Sequence, residues 1–170
     1  MAAFTTKRLV RCPASQAAHR LAEFFGEHGT ADGRLVRLSL CVTGPAVDAP
    51  EGNALTKEVI ASFAPVHPHD TRFPDYDVRW KPEGGGPYPT FAGRLSVDPD
   101  DDYNSFLLRL SGDYEAPFGI AGAIFDAAAG RRIAKATVRT LLGTIADSVE
   151  QHFQADERRK PSYRDGASVS

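Results

Sequence analysis

The chain has 170 residues, of which 42% are hydrophobic and 25% charged, and its formal net charge is −2 at pH 7. This length and composition are typical of one globular domain that buries its apolar surface without disulfide bonds. The slightly negative charge argues against a nucleic-acid partner, because phosphate recognition requires clustered lysine and arginine side chains.

Neither a targeting segment nor a membrane span is expected. Lys7 and Arg8 lie near the amino terminus, but no apolar run of signal-peptide length follows them. No stretch approaches the roughly 18 to 20 apolar residues of a transmembrane helix. Two cysteines, Cys12 and Cys41, are too few for a disulfide framework. A cytoplasmic protein in a reducing compartment is the simplest interpretation, and a Cys12–Cys41 bridge is the less favoured alternative.

The chain begins with a predicted strand over residues 4–11, followed by a predicted amphipathic helix over residues 14–25. Gly26 and Gly29 stand where glycine commonly ends a helix, so we expect the helix to stop there. Residues 34–42 are then predicted to form a half-buried strand, because Val36, Leu38, Leu40 and Val42 share one face while Arg37, Ser39 and Cys41 share the other.

Four further strands are predicted after a proline-containing loop. They span residues 55–66, 75–81, 89–97 and 103–114, each with apolar side chains at alternate positions. The acidic segment 98–102 between the last two strands predicts a hairpin turn. Six strands in all, joined without intervening long helices, indicate an antiparallel sheet.

A long amphipathic helix is predicted over residues 118–153. Its apolar stripe recurs three or four residues apart and comprises Ile133, Val138, Leu141, Leu142, Ile145, Val149 and Phe153. Residues 154–170 have little to bury and predict a disordered polar tail. We therefore expect one α+β domain over residues 1–153, in which a curved antiparallel sheet is wrapped around a long carboxy-terminal helix, with a short helix near the amino terminus.

The closing segment of this domain carries a family resemblance. It reads Leu110-Ser111-Gly112-Asp113-Tyr114-Glu115-Ala116-Pro117-Phe118-Gly119, then Ile120-Ala121-Gly122 and a helix that contains Arg131-Arg132-Ile133-Ala134. With the element order, this segment resembles the helix-grip fold of the SRPBCC superfamily, which includes START-like lipid carriers and aromatic polyketide cyclases. Many members have two short helices after the first strand, whereas this chain has one. The resemblance implies an apolar ligand site between the sheet and the long helix.

Aromatic side chains are the main candidates for such a site, because most of them share the phase of the inward-facing positions. Tyrosine and tryptophan also offer one hydrogen-bonding group on an apolar body. The predicted ligand-binding residues are Tyr76, Trp80, Phe91, Phe106, Arg109, Tyr114, Phe118 and Phe125. The alternative is that the aromatic rings only fill the core. Arg8, Lys57, Arg109 and Asp113 are the charged residues whose phase could turn them inward.

No cofactor or metal ion is expected. The segment His67-Pro68-His69-Asp70 places two imidazoles on alternate positions but lacks further ligands, so a solvated loop is the favoured interpretation. The acidic segment 98–104 superficially resembles a calcium loop, but Tyr103 and Arg109 stand where that loop needs glycine and glutamate. Gly84–Gly86 is not followed by the residues of a phosphate-binding loop, and no catalytic triad is evident.

Three functions stay open on the sequence alone. The first is binding of a hydrophobic or aromatic small molecule between the sheet and the carboxy-terminal helix. The second is a polyketide cyclase or dehydratase in which Arg109, Asp113 or Tyr114 moves protons. The third is a ligand-free interaction protein, and a homodimer also stays open.

Overall fold

Six strands and two α-helices make up the described part of the chain. The computed structural model describes residues 2–29, 35–42, 55–66, 73–84, 90–115 and 127–160. In chain order the elements are β1 (Ala2–Val10), a 3₁₀ helix (Ala14–Gln16), α1 (Ala17–His28), β2 (Leu35–Val42), β3 (Leu55–Val66), β4 (Asp75–Pro82), β5 (Thr90–Pro99), β6 (Phe106–Glu115) and α2 (Ala127–Arg159). The predicted α+β helix-grip architecture is confirmed.

The strands form one antiparallel sheet in the order β1-β6-β5-β4-β3-β2. Consecutive strands from β2 to β6 are neighbours, as hairpin connections require, and β1 closes the order by pairing with β6. The sheet has two distinct faces because side chains alternate along each strand. The inner face is defined by Val78, Leu108 and Leu110, whose fully buried side chains form one core cluster with residues of α2 such as Val138 and Leu141. The opposite side is called the outer face.

Both helices extend beyond their predicted ends. Gly26 lies inside α1, which continues to His28, and Gly29 caps it in an extended rather than a left-handed conformation. The prediction that Gly26 ends the helix is therefore wrong, and a Cβ at this position would meet no atom within 4 Å. The carboxy-terminal helix passes its predicted end at Phe153 and reaches Arg159. Residues 154–159 are thus helical and do not belong to a polar tail. Among the described helices, none is long and apolar enough to cross a membrane.

The buried arginine Arg20 explains why the end of α2 is ordered. Arg20 is 5% exposed, and its guanidinium donates hydrogen bonds to Asp156 at 2.7 Å and to Glu23 at 2.9 Å. It also donates to the amide oxygen of Gln16 at 3.1 and 3.2 Å. A buried charge is stable only with such partners. Arg20 therefore joins α1 to the last turns of α2.

The inner face contains one point where β5 and β6 approach unusually closely. Gly93 and Gly112 are directly opposed across the two strands. A Cβ built on either glycine would lie under 3.0 Å from backbone atoms of the facing strand. It would also lie 2.5 Å (Gly93) or 2.8 Å (Gly112) from Cζ of Phe91. The ring of Phe91 therefore covers both glycines, and neither position has room for a side chain.

We predict that Gly93→Ala and Gly112→Ala each lower the free energy of unfolding by about 1–3 kcal/mol, because the added methyl group collides with backbone atoms and with a core ring. Gly143→Ala is the matched control, since Gly143 lies inside α2 and an added methyl group there would meet no atom within 4 Å. It should raise stability by about 0.5–1 kcal/mol through helix propensity. Urea unfolding measures the free energy of unfolding of all three variants. Equal changes at the three positions would show that the close approach of β5 and β6 does not cause the destabilisation.

We also predict a pH dependence at the junction of the two helices. The hydrogen bond from Arg20 holds the pKa of Asp156 below its ordinary value of 3.8. The interaction is therefore fully present above that value and is lost as the pH falls through the lower folded-state pKa. Asp156→Asn should lower the melting temperature at neutral pH, and the difference from the wild type should shrink in strong acid. Glu157→Gln, at an exposed pair with Lys160, should leave the profile unchanged.

Candidate functional site

The predicted ligand-binding residues do not meet at one place. Trp80, Phe91 and Tyr114 lie side by side on the inner face, whereas Tyr76, Phe106 and Arg109 lie elsewhere. Phe118 and Phe125 lie outside the described residues. The three residues that do meet are joined by Phe4 of β1, which packs against the same cluster. These four residues, Phe4, Trp80, Phe91 and Tyr114, are called the aromatic panel.

The register of the sheet builds the aromatic panel. Trp80 is paired with Phe91, and Phe91 is paired with Tyr114, so three aromatic residues stand in one row across β4, β5 and β6. Phe4 is paired with Gly112 in the adjacent row. Because Gly112 has no side chain, the rings of the row formed by Trp80, Phe91 and Tyr114 have room to pack over this position. The panel therefore depends on both the strand register and the glycine pair.

The rings of the panel have two kinds of contact. Trp80 and Phe91 are stacked, with centroids 4.1 Å apart and ring planes 11° from parallel. Phe4 lies 5.5 Å from Phe91 and 6.2 Å from Tyr114 in tilted contacts. Trp80, Phe91 and Tyr114 are between 3% and 6% exposed. Trp80 and Phe91 thus form a flat apolar surface inside the core, and the partly buried ring of Phe4 packs against Phe91 at an angle.

Tyr76 and Phe106 belong to other parts of the core. Tyr76 contacts Phe25 of α1, with centroids 5.0 Å apart, and Phe25 also contacts Phe63. Burial raises the pKa of the Tyr76 hydroxyl above its ordinary value of 10.0. Phe106 is fully buried and lies eight residues before Tyr114 on β6, a separation of about 27 Å along a strand. One small ligand cannot contact both ends.

Arg109 is on the outer face, contrary to its predicted place in the ligand site. It lies between Leu108 and Leu110, which are both fully buried on the inner face, and it forms an ion pair with Asp98. Asp113 is exposed on the same outer face, one position before Tyr114. Arg8 does have the inward phase, but it is half-exposed and lies 3.5 Å from Asp147 of α2. Arg8 and Arg109 are thus paired at exposed positions and Asp113 is exposed to water, as expected because burying an unpaired charge is costly.

A cavity of about 530 Å³ lies on the outer face, opposite to the predicted ligand site. Most of its lining side chains come from the outer positions of five strands. They are Leu35, Ile60, Ser62, Arg79, Lys81, Thr90, Ala92, Asp113 and Glu115, together with Trp80, Phe91 and Tyr114 of the central row. We call this cavity the outer hollow. No feature of the sequence indicates it.

Metal-binding and nucleophilic groups are sparse in the described ranges. They contain no group of three or more histidine, cysteine, aspartate or glutamate residues placed to hold a metal ion, and the segment 67–70 lies outside them. The predicted turn is present but lies at residues 100–105 rather than 98–102, because β5 continues to Pro99 and β6 begins at Phe106. In it Ser105 donates a hydrogen bond to Asp100 at 2.8 Å. Cys12 is a free, fully buried thiol, so it forms no bridge with Cys41. Burial raises the pKa of Cys12 to about 11.

Comparisons with known proteins identify the fold. The sequence matches no family model and no curated protein. A conserved protein from Geobacillus kaustophilus has a similar structure, with a TM-score of 0.54 and 13% identity over 91% of this chain and 97% of that one. A START superfamily protein from Mycobacterium smegmatis matches with a TM-score of 0.48 and 14% identity, over 90% of this chain and 97% of that one.

The Zhui aromatase/cyclase from Streptomyces sp. R1128 matches with a TM-score of 0.48 and 14% identity, over 91% of this chain and 97% of that one. At these identities the likeness concerns the fold. The Geobacillus kaustophilus protein therefore shares the overall architecture of this chain, a six-stranded antiparallel sheet with a long carboxy-terminal helix here.

We predict that Cys12 is chemically inert in the folded protein. A thiol with a pKa of about 11 instead of 9.0 has about a hundredfold less thiolate at neutral pH, and only the thiolate is nucleophilic. In a Cys41→Ser background, iodoacetamide should therefore modify Cys12 at least about a hundredfold more slowly in buffer than in urea. Comparable rates in the two solvents would show that Cys12 is accessible.

Proposed function

We propose that the protein binds a flat hydrophobic or aromatic small molecule against the aromatic panel, between the inner face of the sheet and α2. The stacked pair Trp80–Phe91 over the Gly93–Gly112 gap is the observation that carries this proposal. Two positions without side chains provide the space that one aromatic ring needs. The ring of Phe91 occupies that space in the structure. A ligand would bind in the same space after the Phe91 ring rotates away from the two glycines.

The geometry of the stacked pair supports a planar ligand. Among the ring pairs that the structure describes in the panel, Trp80–Phe91 is nearly parallel, whereas the contacts of Phe4 are tilted by 41° and 48°. A flat molecule that replaced the Phe91 ring would keep the same face-to-face contact with the indole. Stacked aromatic pairs contribute about 0.5–1.5 kcal/mol beyond their buried area. The indole would thus favour planar ligands over branched ones.

The arrangement of titratable groups favours binding over catalysis. A cyclase or dehydratase needs at least one acid or base beside the ligand. The three residues considered for that role are divided between two faces, with Arg109 and Asp113 outside and Tyr114 inside. Tyr114 is the panel's own ionisable residue, and its hydroxyl would serve best to orient a polar group of the ligand.

The single tryptophan of the chain allows a direct test, because Trp80 is part of the panel. Titration with anilinonaphthalene sulfonate as a planar apolar probe should quench Trp80 fluorescence in a saturable manner with one probe per chain. We predict that Phe91→Leu tightens binding by about three- to tenfold, because the Phe91 ring no longer competes with the probe for the gap and for the indole face. The direction reports on the mechanism: weaker binding indicates stacking on Phe91, and tighter binding indicates that Phe91 blocks the space.

Phe24→Leu is the matched control. Phe24 is fully buried and contacts Phe25 and His28 of α1, away from the panel. This variant should lose a similar amount of stability in urea while its probe affinity stays unchanged. The proposal fails if Trp80 fluorescence does not respond to the probe, or if the two variants alter the affinity equally.

A further inference from the structure

Three of the ion pairs that the structure describes join charged side chains on the outer face, and two of them connect neighbouring strands. Arg37 contacts Glu83 at 2.8 Å, and Arg94 contacts Asp77 at 3.4 Å. Arg109 is paired with Asp98. Such cross-strand pairs are the usual arrangement for charges on a solvent-exposed sheet.

Four charges that line the outer hollow have no ion-pair partner among the described residues. Two are cationic, Arg79 and Lys81 on β4, and two are anionic, Asp113 and Glu115 on β6. All four are exposed. The strand β5 separates the two sets, and neighbouring strands are about 4.8 Å apart, so about 9.6 Å lies between them. We call these four residues the four-charge patch.

The register places the patch in two parallel rows. Arg79 is paired with Ala92, and Ala92 is paired with Asp113. Thr90 is paired with Glu115 in the other row, and Lys81 continues that row on β4. Each row therefore has a cation on one side, a small β5 side chain in the middle and a carboxylate on the other side.

We propose that the four-charge patch binds the same patch of a second copy of this chain, related by a two-fold axis that runs parallel to β5 between the two outer faces. A rotation by 180° about this axis places β4 of the partner over β6 of the first copy. It leaves every residue at the same level along the strand direction. The partner's cationic strand thus lies over the anionic strand of the first copy. Arg79 meets the partner's Asp113, and Lys81 meets the partner's Glu115, which gives four ion pairs by symmetry.

The charges specify this orientation against the alternative one. A two-fold axis perpendicular to the strands would place cationic strand over cationic strand, and like charges in contact disfavour association. Packed sheets are about 10 Å apart, a distance that facing arginine and carboxylate side chains can span. Ala92 and Thr90 are short enough to let the faces approach. The partner's side chains would fill the outer hollow of about 530 Å³.

The dimer would cover the outer side of the row that contains Trp80, Phe91 and Tyr114, whereas the ligand proposed above contacts the inner side of that row. The ion pairs of the dimer are exposed at their edges, so the dimer should weaken as salt screens them. Sedimentation velocity of the full chain at low and high ionic strength is the first measurement. A dimer at low salt that dissociates at high salt is expected, and a monomer under both conditions would overturn the proposal.

Charge reversal gives the sharper test. The double variant R79E/K81E has four carboxylates in the patch, and D113K/E115K has four cations. We predict that each variant alone dimerises at least about tenfold more weakly than the wild type, because every contact has become repulsive. An equimolar mixture should form a heterodimer, because all four contacts are then attractive.

Matched and folding controls keep the test decisive. K135E/R139E changes the net charge as much as R79E/K81E but lies on exposed positions of α2, and it should dimerise like the wild type. A misfolded variant could not form the heterodimer, so the mixture itself reports on folding. Unchanged dimerisation of R79E/K81E, or a mixture of two variants that unfold cooperatively in urea but stay monomeric while the wild type dimerises, would show that the patch is not the interface.

Discussion

The close approach of β5 and β6 at Gly93 and Gly112 is the constraint on which the inner face depends. Because neither residue has a side chain, the two strands can meet without collision, and the ring of Phe91 can cover the gap. That ring position brings Phe91 into its stacked contact with Trp80 and its tilted contact with Phe4. A side chain at either glycine would push the ring away and separate the strands. The aromatic panel is therefore a consequence of backbone geometry as much as of aromatic composition.

The two faces of the sheet have different physical characters, and these suggest different roles. The inner face is apolar and is covered by α2, whose position is held by its own buried stripe and by the Arg20–Asp156 interaction at its end. The outer face is exposed and charged, with the small side chains of Thr90 and Ala92 at the beginning of β5. Apolar surface favours a hydrophobic ligand, whereas unpaired charges favour an oppositely charged partner surface. Ligand binding and self-association can thus coexist on one thin sheet.

Part of the candidate site is predictable from alternation alone. Trp80, Phe91 and Tyr114 have the phase of buried positions, and the structure brings them together. The alternation shows which face of the sheet a side chain occupies, but it does not show which residues are its neighbours. The contact of Tyr76 with α1 and the position of Phe106 at the far end of β6 depend on strand register and on packing. Arg109 illustrates the same limit, since its neighbours Leu108 and Leu110 occupy the inner face. Phe4 is missing from the predicted site because its neighbours come from the other end of the sequence.

The sequence by itself determined the number and order of the strands, the α+β class and the amphipathic long helix, because these follow from short-range periodicity in hydrophobicity. The bounds of β3 match the prediction to the residue. Only the tertiary structure decided which aromatic rings meet, why Gly93 and Gly112 cannot carry side chains, and why Arg20 holds α2 beyond Phe153. It also revealed the outer hollow and the four-charge patch that lines it. These features depend on strand register and on contacts between residues far apart in the chain, which local patterns do not encode.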